Sequence, residues 1–136
     1  MAVVNHKRPI VVCLCGSTRF YDDFQRAYFN ETMAGKIVLS VGFFVHSSAT
    51  AHGEQVGITP EQKEMLDRLH LSKIDMADEV LIINKDGYIG ESTRNELLYA
   101  LSEGVRVRYL EPDKTPRIIF EDGHRVMIPY TEKLKA

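Results

Sequence analysis

Apolar residues in this chain fall into short runs separated by segments with a helical repeat. Pro9 to Cys15 is a continuous apolar stretch, the pattern of a strand covered on both faces. Phe20 to Met33 places Phe20, Phe24, Ala27 and Tyr28 at helical spacing, and Gly35 ends that helix. Lys36 to Phe44 reads as a second strand, and His46 to Gly57, rich in Ser, Ala and Gly, as an exposed loop. Thr59-Pro60-Glu61-Gln62 is a helix start, with a cap, a first-turn proline and a capping-box glutamine; the helix runs to about Met76. Glu79 to Asn84 is the third strand, Ser92 to Glu103 the next helix, and Val105 to Leu110 the fourth strand after the stop at Gly104. Ile118 to Phe120 and Arg125 to Ile128 flank Glu121-Asp122-Gly123-His124 as a small hairpin.

Strands alternating with helices predict an α/β fold, a flavodoxin- or Rossmann-like parallel sheet of four to five strands with helices on both faces and a small C-terminal hairpin. The length of 136 residues suits one domain over 1–136. In such sheets ligands bind beyond the carboxyl ends of the strands, where the strand order reverses. Two loops with anion-binding chemistry fall there. Gly16-Ser17-Thr18-Arg19 follows the first strand: the glycine permits close backbone approach, the hydroxyls lie at a helix start, and Arg19 offers a bidentate fork for phosphate. An ordinary strand-to-helix turn has the same composition. Gly90-Glu91-Ser92-Thr93-Arg94 precedes a helix that Ser92 can cap, leaving N–H groups for an anion. Glu91 suits either a sugar hydroxyl or the positive end of the helix, and Arg94 either a phosphate or the solvent.

The formal net charge of -2 argues against a general nucleic-acid binder. No apolar run approaches the roughly 18 residues of a membrane span, and Met1 to Arg8 has no signal-peptide core. Cys13 and Cys15 face the same way on a strand too extended for an easy disulfide, which fits a reducing, cytoplasmic setting. His46, His52, His70 and His124 share no ligand spacing, and Cys13-x-Cys15 has no second pair, so no metal is expected. No Walker A motif or complete dinucleotide fingerprint appears, so no cofactor is expected either.

The segments resemble the nucleoside 2-deoxyribosyltransferase superfamily, and within it the 2'-deoxynucleoside 5'-monophosphate N-hydrolases. Val12-Cys13-Leu14-Cys15-Gly16-Ser17-Thr18-Arg19 is similar to their first-strand motif, which ends Cys-Gly-Ser-x-Arg. Lys73 to Val80 is similar to the helix end and Ala-Asp entry into the third strand, and Glu96-Leu97-Leu98-Tyr99-Ala100 to the nucleophile motif Glu-x-Gly-x-Ala, with Leu98 in place of glycine. The resemblance implies hydrolysis of the N-glycosidic bond of a (deoxy)nucleoside 5'-monophosphate, with Glu96 as nucleophile and the two loops on the phosphate. A deoxyribosyltransferase and a non-catalytic nucleotide-binding module are the alternatives. By itself, Glu96 also reads as a solvated helix glutamate paired with Arg94 or a lysine.

Two positions depart from the pattern. Cys13 stands where the family has a tyrosine and reads as a small core residue. His70 stands where the family has an aspartate: it either protonates the leaving base or is a helix-face histidine. Asp67, one turn earlier, is placed to orient or replace it. The resemblance also implies a homodimer with the site near the interface. Phe20, Tyr21, Phe24, Tyr28 and Phe29 put more aromatics on one helix than a single core stripe requires, unless all pack on the sheet or under the His46–Gly57 loop.

Overall fold

The computed structural model describes residues 8–42 and 57–132. Most of the His46–Gly57 loop, and the end of the second strand from residue 43, lie outside them. The elements in chain order are β1 (Val11–Gly16), α1 (Tyr21–Met33), β2 (Ile37–Leu39), α2 (Pro60–Asp75), β3 (Glu79–Ile83), α3 (Glu91–Ser102), β4 (Arg106–Tyr109), β5 (Arg117–Glu121) and β6 (His124–Ile128), with a short 3-10 turn at Lys85–Gly87.

β1 to β4 form a parallel sheet in the order β2-β1-β3-β4, and β5 and β6 pair as a separate antiparallel hairpin. The α/β expectation therefore holds, with four strands in the main sheet. β1 and β3 are the central pair, running in register from Val12 opposite Glu79 to Gly16 opposite Ile83. The chain leaves β1 toward β2 and returns on the other side at β3, so the strand order reverses between β1 and β3.

Alternation along these two strands divides the core. Val12, Leu14, Leu81 and Ile83 point to the face covered by α1, where Phe24 and Ala27 are buried. Cys13, Cys15, Val80 and Ile82 point to the opposite face, under Ile74 of α2 and Leu97 and Ala100 of α3. Met127 of the hairpin joins this second cluster. The two sides of the sheet thus get different chemistry from one strand: purely aliphatic toward α1, sulfur-bearing toward α2 and α3.

α2 begins with the capping box read from sequence: the Gln62 N–H donates to Thr59 Oγ1 at 3.1 Å, and the Thr59 N–H donates to Gln62 Oε1 at 2.9 Å. Asp122 and Gly123 both have positive φ (51° and 80°), as a two-residue hairpin turn requires. At the amino end of β3 the buried Glu79 carboxylate binds Lys36 at 2.8 Å and Arg108 at 3.1 Å, with Arg106 at 3.3 Å. Glu31 also pairs with Arg108. This charged network lies at the end of the sheet opposite the two loops.

Candidate functional site

At the carboxyl end of β3, Asn84 is wholly buried and ties the following loop to the segment after β4. Its Nδ2 donates to the carbonyls of Glu111 (3.0 Å) and Lys114 (3.1 Å), and its Oδ1 accepts from the Glu111 N–H at 2.9 Å. The loop that carries Tyr88 and Gly90 toward α3 therefore starts from a fixed point.

The first loop is organised around Arg19. Ser17 Oγ accepts from Arg19 Nε at 3.1 Å and from the Arg19 N–H at 3.3 Å. Arg19 lies 4.5 Å over the ring of Tyr88 and donates from Nη2 to its hydroxyl at 3.2 Å. The two loops thus meet through an Arg19–Tyr88 contact that sequence spacing did not disclose. α1 has no side-chain cap, so the Ser17 hydroxyl serves the arginine rather than the helix. Thr18 is half-buried. Gly16 has a packing reason: a Cβ there would stand 2.8 Å from Cβ of Ile83 on the adjacent strand. A shallow cleft of about 350 Å³ lies on the α1 side of this loop, lined by Arg19, Phe20, Asp23, Arg26 and Lys85 among others; Glu96 is not in its wall.

The second loop differs from expectation at Ser92. The N-cap of α3 is Gly90, in extended backbone and without a side-chain cap, because the helix starts at Glu91 rather than after Ser92. The Ser92 hydroxyl instead accepts from Lys63 Nζ at 3.2 Å. Lys63 also holds both oxygens of Asp67 at 2.8 Å, so a cation from α2 stands beside the α3 start. Lys63 was legible only as the residue one turn before Asp67 on the same helix face. Glu91 is exposed and faces Arg94 at 3.9 Å, Arg94 is half-buried, and Thr93 is buried.

The densest chemistry is under α2 and α3. His70 is 6% exposed and its Nε2 lies 3.6 Å from Cys13 Sγ, 3.5 Å from Cys15 Sγ and 4.0 Å from Glu96 Oε1. His70 is therefore no solvent-facing helix histidine, and Cys13 is in the core but also a polar partner. Both cysteines are free thiols. Asp67 stays with Lys63, half-exposed, and acts on the cluster only through its charge.

Burial pushes the Glu96 carboxyl up to about 7; the charges of Cys13 and Asp67 add to this, while His70 and Lys63 oppose it. Burial pulls the His70 imidazole down, but the Cys13 hydrogen bond and the charges of Glu96 and Cys13 outweigh it and leave it raised. The Cys15 thiol hydrogen-bonds to Cys13 and holds the Cys13 thiol below its usual value, aided by His70 and against burial. Cys15 is correspondingly raised, by the Cys13 contact first and burial second.

Sequence spacing offered no metal-ligand set, yet the fold brings three donor residues together. Cys13 Sγ, Cys15 Sγ and a His70 ring nitrogen all lie within 4.8 Å of one another, and all three residues are buried. The histidine comes from a helix far along the chain, so no short motif announces the set. Among the described residues no helix is long and apolar enough to cross a membrane. No protein-family model matches the chain, and neither the curated proteins nor the solved structures give a match.

Proposed function

We propose that the domain hydrolyses the N-glycosidic bond of a (deoxy)nucleoside 5'-monophosphate, as a relative of the nucleoside 2-deoxyribosyltransferases. The observation that carries this reading is Glu96: a carboxylate whose side chain is 13% exposed, 4.0 Å from His70, beside the point where the strand order reverses. Glu96 attacks the anomeric carbon as the bond to the base breaks, giving a glycosyl ester. His70 supplies the proton the departing base needs, and water then hydrolyses the ester. Arg19, steadied by Ser17 and Tyr88, and the α3 start with Lys63 and Ser92 are the two cationic contacts for the 5'-phosphate. The same reading makes the protein a cytoplasmic homodimer that needs no cofactor.

The test is to incubate chelator-treated protein with a panel of ribo- and deoxyribonucleoside monophosphates and follow released base by chromatography. Release from at least one monophosphate, faster than from its nucleoside, is the expected result. Ligand binding with no release would instead make this a nucleotide-binding module. Transfer of the sugar to an added second base would make it a transferase.

A further inference from the structure

Three groups converge on one nitrogen of His70: the sulfurs of Cys13 and Cys15 at 3.6 and 3.5 Å, and Glu96 Oε1 at 4.0 Å. A neutral imidazole nitrogen has either one proton or one lone pair, so it satisfies one such partner at a time. In a proton relay the partners divide between the two ring nitrogens, with the second oriented by another group. Here they crowd a single one, as ligands do around a cation.

The distances fit a particular ion. Bonds of about 2.3 Å to sulfur and about 2.0 Å to nitrogen at a tetrahedral angle hold sulfur and nitrogen about 3.5 Å apart. Both sulfur–nitrogen separations in the cluster match that figure. The two sulfurs and the ring nitrogen, all within 4.8 Å of one another, are thus the three protein donors of the cluster.

The surroundings add to this. The two cysteines are 0% exposed, on a central strand of the sheet, and lie among Ile74, Val80, Ile82, Leu97 and Ala100. Such a shell excludes water and strengthens charge interactions at the centre. Two thiolates and an imidazole are the donor set that selects zinc over magnesium or calcium.

We propose that Cys13, Cys15 and His70 form a three-ligand site for a zinc-class divalent ion. This site does not depend on the glycosidase reading. Base release is measured on chelator-treated protein, so a domain that releases no base yet binds the ion loses only the first proposal.

The experiment is a titration of the reduced, chelator-treated full chain with Co²⁺ under anaerobic conditions. The expected result is one equivalent bound, with a thiolate-to-cobalt charge-transfer band and the visible bands of a tetrahedral ion, both abolished by one equivalent of Zn²⁺. Losing a mere supporting partner of a metal ligand costs about 10–100-fold in affinity. Cys15→Ser and His70→Gln should therefore each lose at least about 100-fold, and Cys15→Ser should also weaken the charge-transfer band. Absence of the thiolate band at saturating Co²⁺, or an unchanged band in folded Cys15→Ser, would overturn the site. Should the variants fail to fold, X-ray absorption of the zinc-loaded wild-type protein decides it. Two sulfurs at about 2.3 Å support the proposal, and a shell of oxygen and nitrogen alone refutes it.

Discussion

The Glu96 carboxylate lies 4.0 Å from Nε2 of His70, a residue of α3 facing a residue of α2 against the sulfur-bearing side of β1. Neither group reads as charged surface: their side chains are 13% and 7% exposed. Burying an acid and a base together has a cost that each can lower by holding the other's charge.

The first prediction concerns chemistry. Glu96→Gln keeps the shape and removes the nucleophile. Base release should fall by at least about 10³-fold while nucleotide affinity changes little. Near-normal turnover in this variant would remove Glu96 from the reaction.

The same substitution has an opposite effect on stability. The folded-state pKa of Glu96, about 7, lies above its ordinary 4.5, so the folded protein holds a proton the unfolded chain loses between those values. Stability therefore declines as pH rises through that window, and the full penalty is present above it. Chelator-treated Glu96→Gln should be more stable than wild type at pH 8 by about 2–4 kcal/mol, and the difference should vanish below about pH 4. Urea unfolding of both proteins at pH 4, 6 and 8 measures it. A gap that does not grow with pH would contradict the burial of the charge.

The third prediction tests Arg19 as the proposed phosphate contact. Arg19→Ala should weaken nucleoside monophosphates by about 1.5–3 kcal/mol, the scale of a hydrogen bond to a charged group. It should leave the unphosphorylated nucleosides almost unaffected. Calorimetric titration with both ligands separates the cases, and equal losses would argue against a phosphate contact.

Assembly is the fourth. The apolar residues of α1 and its N-cap divide: Phe24 is buried, Phe20 packs edge-on to Tyr88 with ring centroids 5.8 Å apart, and Phe29 and Met33 are 63% and 71% exposed. If the outward pair is the centre of a two-fold interface, light scattering gives twice the 15.5 kDa chain mass. Phe29→Glu then returns it to the monomer, because an unpaired carboxylate is costly in an apolar contact. A wild-type monomer at every concentration would dispose of the dimer.

The parts of the fold legible in sequence are those set by local rules. The apolar runs of β1 and β3, the Thr59–Gln62 capping box and the positive-φ pair Asp122-Gly123 each depend on neighbours a few residues away. Glu96 was singled out by its spacing from the strand before it; its burial beside His70 was not legible there. What escaped depends on distant pairing. Cys13 and Cys15 look like core filler until His70 is brought between them. Gly16 has a packing role that the sequence did not disclose, with Ile83 2.8 Å from where its Cβ would be. Ser92 looks like a cap until Gly90 takes that place and Lys63 claims the hydroxyl. The second strand, read as Lys36 to Phe44, pairs among the described residues over Ile37–Leu39, since edge pairing is decided by the neighbouring strand and not by β propensity.

β1 has a strand on either side and a helical layer on each face, so it cannot fray alone. Its two sulfurs are fully hidden. In metal-free protein, a thiol reagent reaches them only when the centre of the domain opens, whereas loosening at the edge strand β2 leaves them untouched. Labelling in native buffer is thus a clock for whole-domain opening, and its rate reports the free energy of that event rather than of any local fluctuation.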